Sequence, residues 1–250
     1  MRIIACVNQK GGVGKTTICA NLAYSLSLQG QRVVAIDLDP QAQLGQSFGL
    51  FSNKRHGIDQ VFHGRAALSE VTQELSNNLR FISAGPGLQR LESTPMGKGR
   101  GLILKKALRK APLDADFILL DCPPSSGFLV VNALAMANEL LTPVTPDYFG
   151  MSGLSMLLAT VKNFEKMLGK YRAHWIVVSR MQHRGLTKDV LAKLEKYFPE
   201  NLVPVRIAER AVLAECPSHG KPVLEYAPKS PSSQDFQRLA EIIIDAEVST

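Results

Sequence analysis

Arg2-Ile3-Ile4-Ala5-Cys6-Val7 is followed without interruption by Asn8-Gln9-Lys10-Gly11-Gly12-Val13-Gly14-Lys15-Thr16-Thr17. The first six residues are nearly all apolar and read as a short buried strand. After the glycines, Ile18, Leu22 and Leu26 recur at helical spacing until Gly30. Strand, glycine-rich loop and helix in that order form the context of a phosphate-binding loop. Gly11, Gly12 and Gly14 allow sharp bends, so that successive backbone N–H groups turn toward phosphate oxygens. The opening helix adds the positive end of its dipole. Lys15 supplies a cation for β- and γ-phosphates, and the Thr16 hydroxyl suits Mg²⁺. A chance glycine turn would explain the glycines alone, not the Lys-Thr pair closing onto a helix. Residues Lys10 to Thr17, Val13 and Thr17 included, are the expected nucleotide cradle.

Working outward, Gln31 to Gln41 reads as a second buried strand ending in acids, Asp37-Leu38-Asp39-Pro40. Asp116-Phe117-Ile118-Leu119-Leu120-Asp121 repeats that form, and Cys122-Pro123-Pro124 then stiffens the loop beyond it. In a parallel sheet, ligands gather beyond the carboxyl ends of strands, which brings Asp37, Asp39 and Asp121 toward the phosphate loop. Further strands are expected at Leu79–Ser83, Glu139–Val144, Trp175–Arg180 and Asn201–Val205, with helices between them. The fold class is therefore α/β, a mostly parallel twisted sheet with helices on both faces, expected as one domain over residues 1–250.

The chain has 250 residues and a formal net charge of +7, which leans toward a polyanionic partner. No apolar stretch approaches the roughly 20 residues that span a bilayer. A strand beginning at Arg2 carries the expectation of no signal peptide and no preceding DNA-binding domain. The cysteines, Cys6, Cys19, Cys122 and Cys216, are scattered and form no C-x-x-C pair. That argues for a reducing, cytoplasmic setting and against an iron–sulfur or zinc site.

Lys10-Gly11-Gly12-Val13-Gly14-Lys15-Thr16-Thr17 resembles the deviant phosphate loop of the ParA/MinD group of P-loop ATPases. Asp37-Leu38-Asp39-Pro40-Gln41 and Asp121-Cys122-Pro123-Pro124 resemble that group's switch motifs. Glu215-Cys216-Pro217-Ser218-His219-Gly220-Lys221-Pro222-Val223 resembles its Glu-Ala-Pro-Ser-x-Gly-Lys-Pro-Ile segment. The resemblance runs nearly end to end, and the chain looks like a ParA/Soj-type partitioning member. It implies ATP and Mg²⁺ as ligands, with Asp39 orienting or activating the attacking water. By the same resemblance, Asp121 holds Mg²⁺ through a water, and Asp37 lies near the metal or else holds the loop. Lys10 is implied to reach across a nucleotide-sandwich homodimer to the partner's phosphates. Asp147 to Leu154 resembles a stretch implicated in dimer and partner contacts, although its apolar members suit a core equally well.

Resemblance to the partitioning members also implies non-specific duplex DNA binding, a ParB-like or cargo-adaptor protein that stimulates hydrolysis, and nucleoid association in the ATP state. Arg206, Arg210 and Lys221 are the candidate DNA contacts. One departure stands beside them: where DNA-partitioning members commonly carry arginine, this chain has Ala211-Val212-Leu213. The run from Lys98 to Lys110 carries six cations and no acid, and reads either as a polyanion-binding face or as a solvated helix face. The final helix, Ser232 to Val248, has an acidic polar side (Asp235, Glu241, Asp245, Glu247), unlike a helix that docks on anionic lipid. No stable membrane anchor is expected. Two rivals stay open: a switch ATPase acting on protein or membrane partners without DNA, and a metabolic P-loop ligase or kinase.

Overall fold

In the computed structural model, which describes residues 1–52, 56–93, 97, 99–182 and 185–246, the opening strand lies inside the sheet. In chain order the elements are β1 (Arg2–Cys6), α1 (Lys15–Leu28), β2 (Val33–Asp37), α2 (Gln43–Gln46), α3 (Ile58–Phe62), β3 (Thr72–Ser76) and β4 (Leu79–Ile82). There follow α4 (Leu88–Glu92), α5 (Ile103–Lys110), β5 (Phe117–Asp121), α6 (Phe128–Met136), β6 (Glu139–Val144) and α7 (Tyr148–Leu168). The last part holds β7 (Ala173–Met181), α8 (Gly185–Tyr197), β8 (Leu202–Ala208), α9 (Ala211–Glu215), α10 (Val223–Tyr226) and α11 (Pro231–Asp245). The eight strands form one sheet in the order β3-β4-β2-β5-β1-β6-β7-β8. All neighbours pair in parallel except β3, which runs antiparallel to β4 at the edge.

Strand periodicity explains the layers. Successive side chains of a strand point to opposite faces, so β1 sends Ile3 and Ala5 one way and Ile4 and Cys6 the other. The first set packs with Ile118, Phe128 and Leu134; the second packs with Ile18, Leu22, Leu119 and Phe236. Helices α5, α6 and part of α7 thus cover one face, and α1 with α11 cover the other. Leu154, Leu157 and Val161 turn the inner side of α7 into the core. All four cysteines are free and buried.

Several elements differ from the sequence reading. The second strand begins only at Val33, because Arg32 ahead of it is exposed and drawn into ion pairs with Asp114 and Asp116, and it ends at Asp37. The edge strand β3 was not anticipated, since Thr72-Gln73-Glu74-Leu75-Ser76 is polar and half exposed. The final helix ends at Asp245. Lys98, Glu247 and Val248, used in reading the basic run and the final helix, lie outside the described residues.

Candidate nucleotide site

Gly12 (φ 71°) and Gly14 (φ 85°) are left-handed, and this is where the phosphate loop needs glycine. Gly11 is not; it lies beside Pro124 of the opposing loop, where an added Cβ would sit 4.0 Å from the proline Cβ. Gly14 hands the chain into α1, its carbonyl accepting from Ile18 N–H at 2.9 Å. Two side chains at the end of β7 hold carbonyls of the loop. Ser179 Oγ donates to the Val13 carbonyl at 2.7 Å, and Arg180 Nη1 donates to the Gly12 carbonyl at 2.9 Å. From within, Asn8 receives the Lys10 N–H on Oδ1 (2.9 Å) and donates to the Pro143 carbonyl (2.7 Å). Buried Lys15 donates through Nζ to the Lys10 carbonyl at 3.2 Å.

Lys10 itself turns toward its own chain. Its ammonium donates to Thr145 Oγ1 (3.0 Å) and to both carboxylate oxygens of Asp147 (3.0 and 3.1 Å). Asp147 also caps α7, accepting from Gly150 N–H at 2.6 Å. These hydrogen bonds hold the Asp147 carboxyl below its usual range, against partial burial. The 147–154 stretch divides: Tyr148 is 74 % exposed at the helix start, while Leu154 is buried core.

The acids meet at neighbouring strand ends. Asp37 on β2 and Cys6 on β1 both stand in register with Asp121 on β5. Asp37 is fully buried with both oxygens in use: Oδ1 accepts from Asp39 N–H (3.0 Å) and Oδ2 from Leu44 N–H (3.1 Å). Of its two sequence-level roles, these bonds are those of a loop holder. Asp121 is equally buried, and neither oxygen has a hydrogen-bond partner among the described residues. Burial pushes its carboxyl up to about 7, with the Thr16 hydroxyl, the Asp39 charge and Lys15 as smaller influences. Burial, and then the Asp121 charge, likewise raise Asp37. A buried unpaired carboxylate beside a second acid is costly in a protein interior, and a divalent cation relieves it. The residues present therefore fit Mg²⁺. The same burial raises the Cys6, Cys19 and Cys122 thiols, which keeps them protonated and inert.

Beside these buried groups lies a cleft of about 430 Å³ whose lining includes Gly12, Lys15, Thr16, Asp39 and Pro124. Asp39 is partly exposed there, its Oδ1 accepting from Gln41 N–H at 2.9 Å. The part of the lining formed by Arg180, Ile207, Glu209, Arg210 and Leu213 was missed in the sequence. A lone arginine at a strand end gives no pattern to find. Arg180 adopts φ 49°, a left-handed conformation that costs a non-glycine residue roughly 1–2 kcal/mol. Glu92 was missed as well. It accepts from Ser125 Oγ (2.5 Å) and from Leu129 N–H (3.1 Å), so it ties the Asp-Cys-Pro-Pro loop to the start of α6.

The three candidate DNA contacts are all paired with acids. Arg206 meets Glu195 at 2.8 Å, Arg210 meets Asp235 at 2.6 Å, and Lys221 meets Glu225 at 3.0 Å. Arg210 also lines the nucleotide cleft. Val212, at the position of the usual arginine, packs against the α1–α11 core. On α5, by contrast, Lys106, Arg109 and Lys110 are exposed and make no ion pair among the described residues. No helix among the described residues is long and apolar enough to cross a membrane.

Comparison with known proteins places this geometry. A family model described as an AAA domain matches residues 1–172. The chain is 35% identical over 246 residues to the chromosome-partitioning ATPase Soj of Thermus thermophilus, covering 98% of this chain and 96% of that protein. It is 33% identical over 247 residues to the chromosome-partitioning ATPase Soj of Treponema pallidum, covering 97% of each. Among solved structures, cobyrinic acid a,c-diamide synthase from Mycobacterium smegmatis with bound ATP analog and magnesium matches with a TM-score of 0.81 at 28% identity. That match covers 98% of this chain and 94% of the other.

Proposed function

The chain belongs to the Soj/ParA family of partitioning ATPases, and from that premise we propose a switch that cycles with ATP. ATP closes two copies into a dimer. The dimer holds duplex DNA without sequence preference and positions a cargo: a plasmid, a chromosome origin or a protein assembly. A ParB-like or cargo-adaptor protein stimulates hydrolysis, which resets the dimer. The working location is the cytoplasm, on the nucleoid while ATP is bound. The observation that carries the reading is the meeting of Lys15, Thr16 and Asp39 on one cleft, with the buried, unpartnered Asp121 within electrostatic reach of all three.

The chemistry follows from those groups. Backbone N–H groups from Gly11 to Thr17 and the α1 dipole cradle the β- and γ-phosphates, with Lys15 beside them. Thr16 and Asp121 would hold Mg²⁺, Asp121 through a water, and Asp37 would keep the neighbouring loop in place. When bound, Mg²⁺ neutralises charge on the phosphate oxygens. Asp39, clear of the cradle, accepts a hydrogen bond from the attacking water and orients it in line. The water oxygen bonds to the γ-phosphorus, the bond to the bridging oxygen breaks, the water's proton passes to the phosphate being released, and ADP and phosphate leave. Lys10 exchanges Asp147 for the partner's phosphates as the dimer closes. The Cys122–Gly127 loop, tied through Glu92, reports the state of the γ-phosphate.

Asp39→Ala tests the cycle. Light scattering with ATP should give a dimer while hydrolysis falls by at least about tenfold, as for loss of a water-positioning group. The trapped dimer should retain duplex DNA of any sequence, with log K falling by roughly 0.9 per neutralised phosphate for each unit of log salt. A monomeric Asp39→Ala would assign Asp39 to assembly. A dimer that ignores DNA even at low salt would favour the second reading, a switch acting on a protein partner. The acid partners of Arg206, Arg210 and Lys221 favour that alternative. The metabolic reading has less support, since full-length relatives at 33–35% identity are partitioning ATPases.

A further inference from the structure

Arg180 combines a conformation rarely tolerated by arginine with bonds at both ends of its guanidinium. Nη1 donates to the Gly12 carbonyl at 2.9 Å, while Nη2 and Nε donate to Glu209 Oε1 at 2.5 and 3.1 Å. Glu209 is itself anchored: its N–H donates to the Met181 carbonyl at 3.1 Å, and its carboxylate accepts from the Gln182 amide. The preceding residue, Ser179, holds the next carbonyl of the loop, that of Val13. Two consecutive loop carbonyls are therefore held by two consecutive residues of β7.

The consequence follows from peptide geometry. In a planar trans peptide the C=O and N–H point in opposite directions. Fixing the Gly12 and Val13 carbonyls on β7 therefore sets the N–H groups of Val13 and Gly14 in one direction, opposite to those carbonyls. Glycine at positions 12 and 14 leaves those peptides free to rotate without such a restraint. Several of Arg180's donors already have protein acceptors, so its geometry suits shaping the loop more than contacting phosphate. Backbone strain of this kind persists where surrounding bonds over-determine it, and it concentrates at functional sites.

We infer that Arg180 is a positioning residue of the ATPase: through Gly12 on one side and Glu209 on the other, it pre-orients the loop's inward N–H groups before nucleotide arrives. The inference rests on the ATPase reading of the cleft. A pre-oriented loop lowers the ordering cost of binding, so its loss should appear in affinity more than in turnover.

The test uses the full chain, Mg²⁺, a fluorescent ATP analogue for affinity, and steady-state hydrolysis for KM and kcat. Arg180→Gly removes the brace and relieves the left-handed strain together. It should raise the analogue Kd and the ATP KM by roughly tenfold, with kcat within about threefold and a melting temperature no lower than wild type. Arg180→Lys should recover part of the affinity, because one ammonium lacks the planar fork that joins two acceptors. Affinity in Arg180→Gly within about twofold of wild type would overturn the inference. So would a fall in kcat at unchanged KM, which would place Arg180 in the chemical step. A melting temperature falling together with affinity, without recovery in Arg180→Lys, would make Arg180 structural only and overturn it too. Wild-type protein that fails to bind the analogue would overturn the ATPase premise, a result separable from all of these.

Discussion

Replacing Asp121 by asparagine should make the nucleotide-free protein more stable and the nucleotide-bound protein less so. Asp121 has no exposed surface, and neither oxygen has a partner among the described residues. A buried polar group left unsatisfied costs about 1–3 kcal/mol, more when charged. The Asp39 charge adds to the cost for the ionised form. Asparagine keeps the shape and removes the charge. Taking about 2 kcal/mol as relieved, and about 2–4 °C per kcal/mol for a chain of this size, the melting temperature should rise by about 4–8 °C. With Mg²⁺ and a non-hydrolysable ATP analogue at about a hundred times Kd, wild type gains about 2.7 kcal/mol. The variant should gain much less, so the ranking narrows or reverses. Differential scanning fluorimetry in EDTA, then in Mg²⁺ with the analogue, reads both arms. If the variant melts at or below wild type in EDTA, the carboxylate carries no uncompensated cost. If its shift with Mg²⁺ and analogue equals that of wild type, Asp121 does not serve the metal.

Two other perturbations separate roles within the fold. The Lys10–Asp147 pair is partly exposed on both sides, and such pairs contribute less than about 1 kcal/mol, so Lys10→Ala should shift the melting temperature by no more than about 4 °C. It should still bind ATP through Lys15 while failing to dimerise; an intact ATP dimer by light scattering would assign Lys10 to its own subunit. His174, hydrogen-bonded to Thr142 Oγ1 at 2.8 Å, is pushed down by burial to about 4 from 6.5. The folded protein therefore leaves it neutral where the unfolded chain takes up a proton, and stability falls as pH drops from about 6.5 toward about 4. Discounted for partial exposure, the loss is about 1–2 kcal/mol by pH 4.5. His174→Gln should flatten that part of the denaturation profile, and a wild-type-minus-variant difference independent of pH would show the ring to be protonated in the fold.

The framework was legible because it is written in local signals. An apolar run, a glycine loop and helical spacing sit next to one another in the first thirty residues. The acid-ended strands follow the same logic: Asp37 and Asp121 close five-residue buried strands, and parallel pairing alone brings them side by side. For Asp37 the sequence left two roles open. The bonds from Asp39 and Leu44 N–H groups suit the loop-holding role, and those donors depend on how the chain turns after β2. The edge strand β3 escaped notice because edge strands carry polar residues and lack the apolar run that marks a buried one.

What stayed hidden are pairings across long separations, and these alter the reading most. Arg206 and Arg210 are indistinguishable by sequence from free cations, yet Glu195 and Asp235, 11 and 25 residues away, oppose them in the fold, and Lys221 meets Glu225 four residues on. A phosphate that recruits one of these cations must first displace a carboxylate, so each contributes less counterion release than a free cation would. Lys106, Arg109 and Lys110 face no such competition among the described residues, although the sequence alone left α5 open as a solvated face. Arg180 shows the same limit from the other side. Its meaning lies in Gly12 and Glu209, 168 residues before it and 29 after it, and only the sheet order sets those within reach of one guanidinium.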